Sequence, residues 1–393
     1  ASSGLRVLAV AYKQTSKSDR QPENDLIFAG FIGMTDPPRD EAADAVAECR
    51  KAGIKVVMIT GDHALTAKAI AEQTGIDNDG SLIVSGTELD SMDEKILDLK
   101  LEDISVFARV SPEHKLKIVE ANKRKGKIVA MTGDGVNDGP ALKTADIGCA
   151  MGGNGTDVPK GASDMIITDD NFATIVSAVR EGRIIYGNIR KSVHFLLSSN
   201  IGEILTVFLA MLFGWGAPLL PIHLLWVNLI TDSLPAVALG LDRPEDDVME
   251  KGPASADKNL FADGLGERIA FEGIMIGALA LMAFGAGRIL SDSMQQETAM
   301  TMAFAVLSLS QLVHAFNMRS EKSIFRIHLF SNKFLCLAFV IGTLMQAAVI
   351  SIPTLAQIFS AVPLNGLQWA VVAGLSLVPI VFVEFEKAVL KTK

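Results

Sequence analysis

The run Thr132-Gly133-Asp134-Gly135-Val136-Asn137-Asp138 sets two carboxylates four residues apart, directly after the apolar stretch Ile128–Met131. A fold has no need of two acidic groups at the end of a buried strand, and like charges at close range repel. A bound Mg²⁺ removes the conflict, because it takes carboxylate oxygens together with substrate phosphates. A second turn of the same kind, Thr60-Gly61-Asp62, ends the apolar run Ile54–Thr60. Alone it reads equally well as a turn leading into a helix cap. Ser111-Pro112-Glu113-His114-Lys115 has the form of a helix start, with Ser111 as N-cap and Pro112 in the first turn. It also sets Lys115 on that first turn, where an ammonium can reach a phosphoryl oxygen. The chemistry these residue types serve is phosphoryl transfer, which rests on positioning and charge neutralisation.

A second group lies in apolar surroundings further along the chain. Asn200 and Glu203 are three residues apart; Asn228, Thr231 and Asp232 stand at i, i+3 and i+4, hence on one helix face. Ionisable residues at membrane depth are costly and mark function. Oxygen donors with no cationic partner suit a hard cation such as Ca²⁺. The competing account, a polar seam between helices, rarely needs two carboxylates. Pro235 has no N–H, so it frees the carbonyl four residues back, at Thr231, beside Asp232. Broken helices of this kind are tolerated where they line a cavity and coordinate ions.

These residues need two different scaffolds. The 393-residue chain has a net charge of −9 and 21% charged residues, yet a mean hydropathy of +0.33. A charged globular region must therefore sit beside long apolar segments. The change comes near Asn188, giving a soluble domain over 1–187 and a membrane domain over 188–393. In the first part Arg6–Tyr12 alternates like a strand. The runs Ile54–Thr60, Ile128–Met131, Ile147–Met151 and Met165–Thr168 alternate with helices, one of them over His63–Gln73. That order predicts a Rossmann-like α/β domain with a mainly parallel sheet, whose chemistry collects at the carboxyl ends of strands. In the second part six apolar segments centre near Leu205, Ile230, Gly277, Leu307, Val340 and Gly374, predicting an all-α transmembrane region of six helices. Arg183, Arg190 and Lys191 precede the first; Arg243, Lys251, Lys258 and Arg268 follow the second; Arg319, Lys322, Arg326 and Lys333 follow the fourth; Lys387, Lys391 and Lys393 follow the sixth. The loops Gly214–Pro221 and Ser351–Gly366 carry no Lys or Arg, and Arg288 alone stands on their side. The asymmetry predicts a multi-pass protein in the lipid bilayer, with the soluble domain and the C-terminus cytosolic. Cys49, Cys149 and Cys336 show no metal or CxxC spacing, which fits a reduced compartment. The acidic balance gives no reason to expect a nucleic-acid partner. No signal peptide is visible and the first residue is Ala1, so the chain reads as a fragment.

The soluble stretches resemble the phosphorylation domain of P-type cation-transporting ATPases, of the haloacid-dehalogenase superfamily. The matching residues are Asp36-Pro37-Pro38-Arg39, Met58–Asp62, Phe107–Val110 running into Pro112 and Lys115, the Thr132–Asp138 heptapeptide, Met151-Gly152 through Thr156-Asp157, and Ala162-Ser163-Asp164. The resemblance implies that Thr60 and Gly61 hold the phosphoryl group, that Lys115 neutralises it, and that Asp134 ligates Mg²⁺. Asn137 and Asp138 complete the site and Asp62 faces the nucleotide, ATP being the substrate. The family nucleophile lies in an Asp-Lys-Thr-Gly-Thr stretch, which this sequence does not contain. It also implies that residues 1–12 return from a nucleotide-binding domain upstream, and that the chain alone neither phosphorylates itself nor pumps. Gly139, Pro159 and Gly161 depart from the family pattern.

Ser198–Glu203 and Leu225–Asp232 resemble the fifth and sixth membrane helices of calcium ATPases. Asn200, Glu203, Asn228, Thr231 and Asp232 are then Ca²⁺ ligands, and the first membrane helix, continuing toward Tyr186 and Ile185, couples them to the phosphorylation site. On the eighth helix the matching position is Gln311, where a neutral amide keeps an oxygen and loses a charge. One firm Ca²⁺ site and a weak second one are expected; Gln311 as simple interhelical glue is the other reading. The implied activity of the intact protein is ATP-driven Ca²⁺ transport through an aspartyl phosphate. The rivals are a pump for Mn²⁺, Na⁺/K⁺ or H⁺, a non-catalytic membrane fragment, and a stand-alone phosphatase of the superfamily, which the missing nucleophile disfavours.

Overall fold

A computed structural model describes residues 5–14, 23–34, 37–77, 80–153, 157–244, 248–253, 259–291 and 295–390. Of the residues used above, Asp36, Thr156, Lys258, Lys391 and Lys393 lie outside these. The chain divides into two compact units, Ala1–Glu181 with Asp246–Lys258, and Gly182–Glu245 with Asn259–Lys393.

The first unit opens with β1 (Arg6–Tyr12) and β2 (Ile27–Met34), an antiparallel pair in register Arg6↔Met34 to Tyr12↔Ile27, with a bulge at Val10/Ala11. Side chains on both faces of this ribbon are exposed, Phe28, Phe31 and Ile32 among them. Then follow α1 (Glu41–Lys51), β3 (Met58–Thr60), α2 (Ala64–Thr74), β4 (Leu82–Ser85), α3 (Gly86–Ser91), α4 (Glu94–Lys100), β5 (Ile104–Ala108), α5 (Pro112–Arg124), β6 (Ala130–Gly133), α6 (Gly139–Thr144), β7 (Ile147–Met151), α7 (Asp157–Ala162) and β8 (Met165–Ile167). The strands β3–β8 form two parallel three-stranded sheets, ordered β3-β5-β4 and β6-β7-β8. All five residues of β5 are buried, the mark of a strand covered on both faces, which is why Ile-Ser-Val-Phe-Ala reads as an apolar run and not an alternation. Strand β3 is shorter than the run Ile54–Thr60: Lys55 turns aside, its Nζ donating to the Leu101 carbonyl at 2.8 Å. The helix after it is capped by His63, whose Nδ1 accepts from the Leu65 N–H. Pro159 falls in the first turn of α7, where a missing N–H breaks no intrahelical bond.

The second unit is helical. Six helices are long and apolar enough to cross a membrane: Phe172–Leu212, Pro221–Gly240, Leu265–Ile289, Gln295–Asn317, Lys333–Ser351 and Gly366–Val389. The first is α8 (Phe172–Leu212), which begins in the first unit. The second comprises α9 (Pro221–Trp226), a π-helical segment Val227–Asp232 and α10 (Ser233–Gly240). The others are α11 (Leu265–Ile289), α12 (Gln295–Asn317), α13 (Lys333–Ser351), followed by the short α14 (Pro353–Ile358), and α15 (Gly366–Leu390). Helix α12 is the most enclosed of the six; Phe304 and Leu307 on it and Phe284 on α11 belong to the largest buried cluster. Helices α8 and α11 meet through glycines. A Cβ on Gly273 would stand 2.7 Å from Ile201 Cβ and 3.0 Å from the Ser198 carbonyl, and one on Gly277 would stand 3.1 Å from the Gly202 carbonyl. Between helices in lipid, where no water drives association, such backbone approach is a main source of contact.

Candidate functional site

In the first unit the residues singled out lie at the carboxyl ends of parallel strands. Thr60 closes β3 and Gly133 closes β6. Ile59, beside Thr60, packs on the cluster that contains Met131, beside Thr132, so the two turns share one edge. The Thr60 turn is self-braced: Asp62 N–H donates to Thr60 Oγ1 at 3.1 Å, and Thr60 Oγ1 donates to Asp62 Oδ2 at 3.3 Å. Backbone N–H groups of Arg109 and Val110 donate to the carbonyls of Asp62 and Thr60, tying the loop after β5 to the loop after β3. Arg109 has φ of 52°, a left-handed conformation uncommon for a side-chain-bearing residue.

Lys115 projects from the first turn of α5, which starts with a capping box: the His114 N–H donates to Ser111 Oγ, and the Ser111 N–H donates to His114 Nδ1 at 3.0 Å. The ammonium of Lys115 pairs with the Asp138 carboxylate. The repulsion expected between Asp134 and Asp138 is therefore answered on one side by a protein cation, so a divalent ion is not required to settle Asp138. Asp138 is buried, and its Oδ2 accepts from the Gly135 N–H at 3.2 Å. The carboxylate folds back over Gly133, where a Cβ would stand 2.5 Å from Asp138 Cβ; only glycine fits. Asp134, Asn137, Asp62 and Gly61 are exposed. The result is an open edge with one free carboxylate, hydroxyl and amide groups, and a lysine held at its base. That donor set fits Mg²⁺, which keeps several waters and takes one or two carboxylates plus phosphate oxygens.

In the second unit Glu203 of α8, Asn228 of the π segment and Gln311 of α12 come together. Asn228 Nδ2 donates to Glu203 Oε2 at 3.3 Å, and Gln311 Nε2 donates to Glu203 Oε1 at 3.4 Å. Asp232 is 1% exposed and neither of its carboxylate oxygens has a hydrogen-bond partner; Gln311 Oε1 is likewise buried without one. Unpaired buried carboxylate oxygens are among the costliest groups a membrane helix can carry, and they suit a hard cation. Thr231 Oγ1 donates back to the Val227 carbonyl at 3.1 Å. Asn200 makes no hydrogen bond to this set among the described residues.

The helix before Pro235 does not break. It widens into a π turn over Val227–Asp232, and Ser233 Oγ donates to the Asn228 carbonyl at 2.7 Å. A π turn brings residues i and i+5 into bonding register, so the α-helical face on which Asn228, Thr231 and Asp232 were placed together is redrawn: Asp232 turns into the interior while Asn228 stays exposed. The widened turn accommodates a proline that cannot donate.

Sequence reasoning passed over Glu272, His194 and His314. Glu272 is buried in α11, with His194 Nε2 of α8 and His314 Nε2 of α12 at 2.5 and 3.3 Å from its Oε2. The signal was present, an acidic residue deep in the third apolar segment, but only the first two were searched for charge.

Comparison with known proteins gives two family matches: haloacid dehalogenase-like hydrolase over residues 8–146, and cation transporting ATPase, C-terminus, over residues 216–389. Calcium-transporting ATPase 1 of Bacillus cereus is 53% identical over 403 residues, covering 98% of this chain and 45% of the relative. A calcium-transporting ATPase of Bacillus subtilis is 48% identical over 386 residues, covering 96% and 43%. The endoplasmic reticulum calcium ATPase srcA of Aspergillus fumigatus is 37% identical over 427 residues, covering 97% and 44%. The chain thus spans under half the length of each of these three relatives.

Proposed function

Since this chain belongs to the P-type cation-transporting ATPases, of the calcium-transporting type, we propose that the intact protein uses ATP to move Ca²⁺ out of the cytosol through an aspartyl phosphate. The phosphorylated residue is supplied outside these 393 residues, which contain no Asp-Lys-Thr-Gly-Thr stretch, and the chain alone is inactive. The β1–β2 ribbon, apolar and exposed on both faces, supports a further domain that completes it and carries the nucleotide. Thr60 and Gly61 orient the phosphoryl group, Asp62 faces the nucleotide, and Lys115, held by Asp138, offers positive charge to the phosphoryl oxygens. Asn137, exposed at the same edge, offers its amide to the phosphoryl group. Mg²⁺, held by Asp134, supplies charge neutralisation there.

Glu203, Asn228, Thr231, Asp232 and Asn200 form the Ca²⁺ site, and Gln311 serves it weakly. The soluble unit and the C-terminus face the cytosol, as the Lys/Arg distribution supports. The single observation that carries the calcium reading is Asp232: a buried carboxylate with both oxygens unpartnered. Asp232→Asn in the intact protein keeps size and removes charge. Phosphorylation from ATP then loses its Ca²⁺ requirement or fails, while phosphorylation from inorganic phosphate persists and resists inhibition by Ca²⁺. A folded variant with unaltered Ca²⁺ dependence overturns the site.

A further inference from the structure

Glu272 has 2% side-chain exposure, and two imidazoles from other helices face one of its oxygens, His194 Nε2 at 2.5 Å and His314 Nε2 at 3.3 Å. None of these three atoms completes an aligned hydrogen bond. At these separations an imidazolium–carboxylate attraction, which has no angular requirement, joins the groups. A shared metal ion does not fit the His194 contact: two ligands of one tetrahedral zinc stand roughly 3.3 Å apart at ordinary bond lengths, well beyond 2.5 Å, and among the described residues no His/Cys/Asp/Glu group that could hold a metal is found.

The two imidazoles differ. His314 is fully buried, and its Nδ1 lies 3.5 Å from Asn317 Nδ2, the nitrogen that donates to the Pro379 carbonyl at 2.9 Å. His194 is nearer to Glu272 and keeps 12% side-chain exposure, so it is the imidazole of the two that water reaches. The other charged groups around Glu272 are Arg268 on its own helix and Glu386 and Lys387 on α15, with Glu384 beside Lys387. Glu386 has a buried Oε2 with no partner, and Arg268 Nε stands 4.0 Å from its Oε1. Ionisable side chains thus run from Glu272 to Arg268, which is 30% exposed.

We propose that His194, Glu272 and His314 form a proton-binding site separate from the cation donors, and that the proton on His194 weakens cation binding at Glu203 and Asp232. The coupling rests on the calcium site proposed above. His194 precedes Asn200 by six residues on α8, and His314 follows Gln311 by three on α12; in a low-dielectric bundle a charge at that spacing is felt. The step moves one proton from hydronium in bulk water to a His194 ring nitrogen: one O–H bond breaks, one N–H bond forms, and water is left behind.

The test uses the intact protein in detergent, with His194→Gln, Glu272→Gln and the double variant. Mass spectrometry of imidazole C2–H exchange follows His194 as pH varies. The His194 exchange profile is expected to differ between the parent and Glu272→Gln, because the carboxylate that faces the ring is gone. Equilibrium binding of radioactive calcium is measured between about pH 6 and 8. Affinity in His194→Gln is expected to lose up to about tenfold less per pH unit than the parent as pH falls, the weight of one proton. A His194 exchange profile unchanged in Glu272→Gln overturns the proton site. Equal pH slopes in parent and His194→Gln overturn the coupling. A parent protein that binds no calcium at any pH overturns the cation site instead, and the exchange profile still decides the proton site. Should a single variant misfold, the double variant, which leaves no unpaired charge, carries the binding readout. A uniform loss in it at every pH marks the cluster as packing only and overturns the proposal.

Discussion

Lys115 and Asp138 meet because two unrelated local signals agree: a capping box starts α5 with Lys115 on its first turn, and Gly133 and Gly135 let the Asp138 carboxylate fold back beneath the strand end. Asp138 has 5% side-chain exposure and Lys115 21%. Removing the ammonium strands a buried negative charge, whereas neutralising the carboxylate leaves a lysine that can reach water. Lys115→Met is therefore expected to destabilise the first unit by about 3 kcal/mol, and Asp138→Asn by less. Urea unfolding followed by hydrogen exchange in peptides from α5 and β6 measures both; equal losses would count against this asymmetry. Gly161 is the converse case. It lies in α7 with nothing within 4 Å of where a Cβ would be and no positive φ, so Gly161→Ala is expected to stabilise by about 0.5–1 kcal/mol. Gly202, which a Cβ would drive into Ile276 Cβ at 2.9 Å, has no such freedom.

Several elements of the first unit are pinned by carboxylates. Glu88 caps α3, and hydrogen bonds from the Ser85 N–H and hydroxyl hold its carboxyl below the usual range. Burial alone would raise Asp146, but the Val129 N–H and the Lys123 ammonium outweigh it and the carboxyl is held down. Hydrogen bonds from the Thr174 hydroxyl and the Asn171 N–H do the same for Asp169, and the Lys127 ammonium for Glu102. A folded pKa below the unfolded one contributes stability that is present above the ordinary carboxylate range and lost as pH falls through the folded value. Protection of α3 and β6 against hydrogen exchange is thus expected to fade below about pH 4, and Asp146→Asn to flatten that dependence around β6. Among the helices of the second unit the close approach of α8 and α11 makes Gly273 the sensitive position. Gly273→Val is expected to cost about 1–3 kcal/mol by overpacking, read as a lower unfolding temperature in detergent, and, on the calcium site proposed above, to weaken Ca²⁺ binding because Asn200 and Glu203 flank the contact. Much of this scaffold was legible. Strands β3, β6, β7 and β8, the six spans and the polar residues of the first two announce themselves through apolar runs, turn chemistry and charge in the wrong solvent, whereas β4 and the buried β5 were not read as strands. The β2 strand was not read, because its glycine-interrupted run has no core to face. The π turn was not read either: a proline's missing donor is visible in sequence, but whether the helix breaks or widens depends on what packs against it. The Lys115–Asp138 pair was missed since their partnership spans 23 residues and is set by tertiary placement.

At the scale of the six-helix unit, distant segments are knotted by one buried arginine. Arg319, just past α12 and 6% exposed, donates to Asp242 Oδ1 at 3.1 Å and to the carbonyls of His328 at 3.1 Å and Leu329 at 2.6 Å, and to Ser331 Oγ at 2.7 Å. Asp242, just past α10, also accepts from Asn332 Nδ2 at 3.1 Å, with Lys191 Nζ of α8 at 3.6 Å. Asn188 of α8 closes the knot by donating to the Asp242 carbonyl at 2.9 Å. The middle of α8 and the ends of α10, α12 and α13 are held by this one network, whose charges are almost wholly out of water. Such a network is expensive to form, and expensive to break from one side only. Arg319→Met leaves Asp242 without its main partner and three acceptors unanswered. It is expected to destabilise the unit by about 3–5 kcal/mol and to lower the unfolding temperature in detergent. Arg319→Met with Asp242→Leu removes both charges and is expected to recover part of that loss, because no buried charge is left uncompensated. The coupling is read from the double-mutant cycle, in which contacting charges give an interaction free energy of about 0.5–3 kcal/mol. Additive losses would mean that Arg319 acts through its carbonyl contacts alone, as a clamp on the segment between α12 and α13, and that Asp242 is held by Lys191 and Asn332 without it.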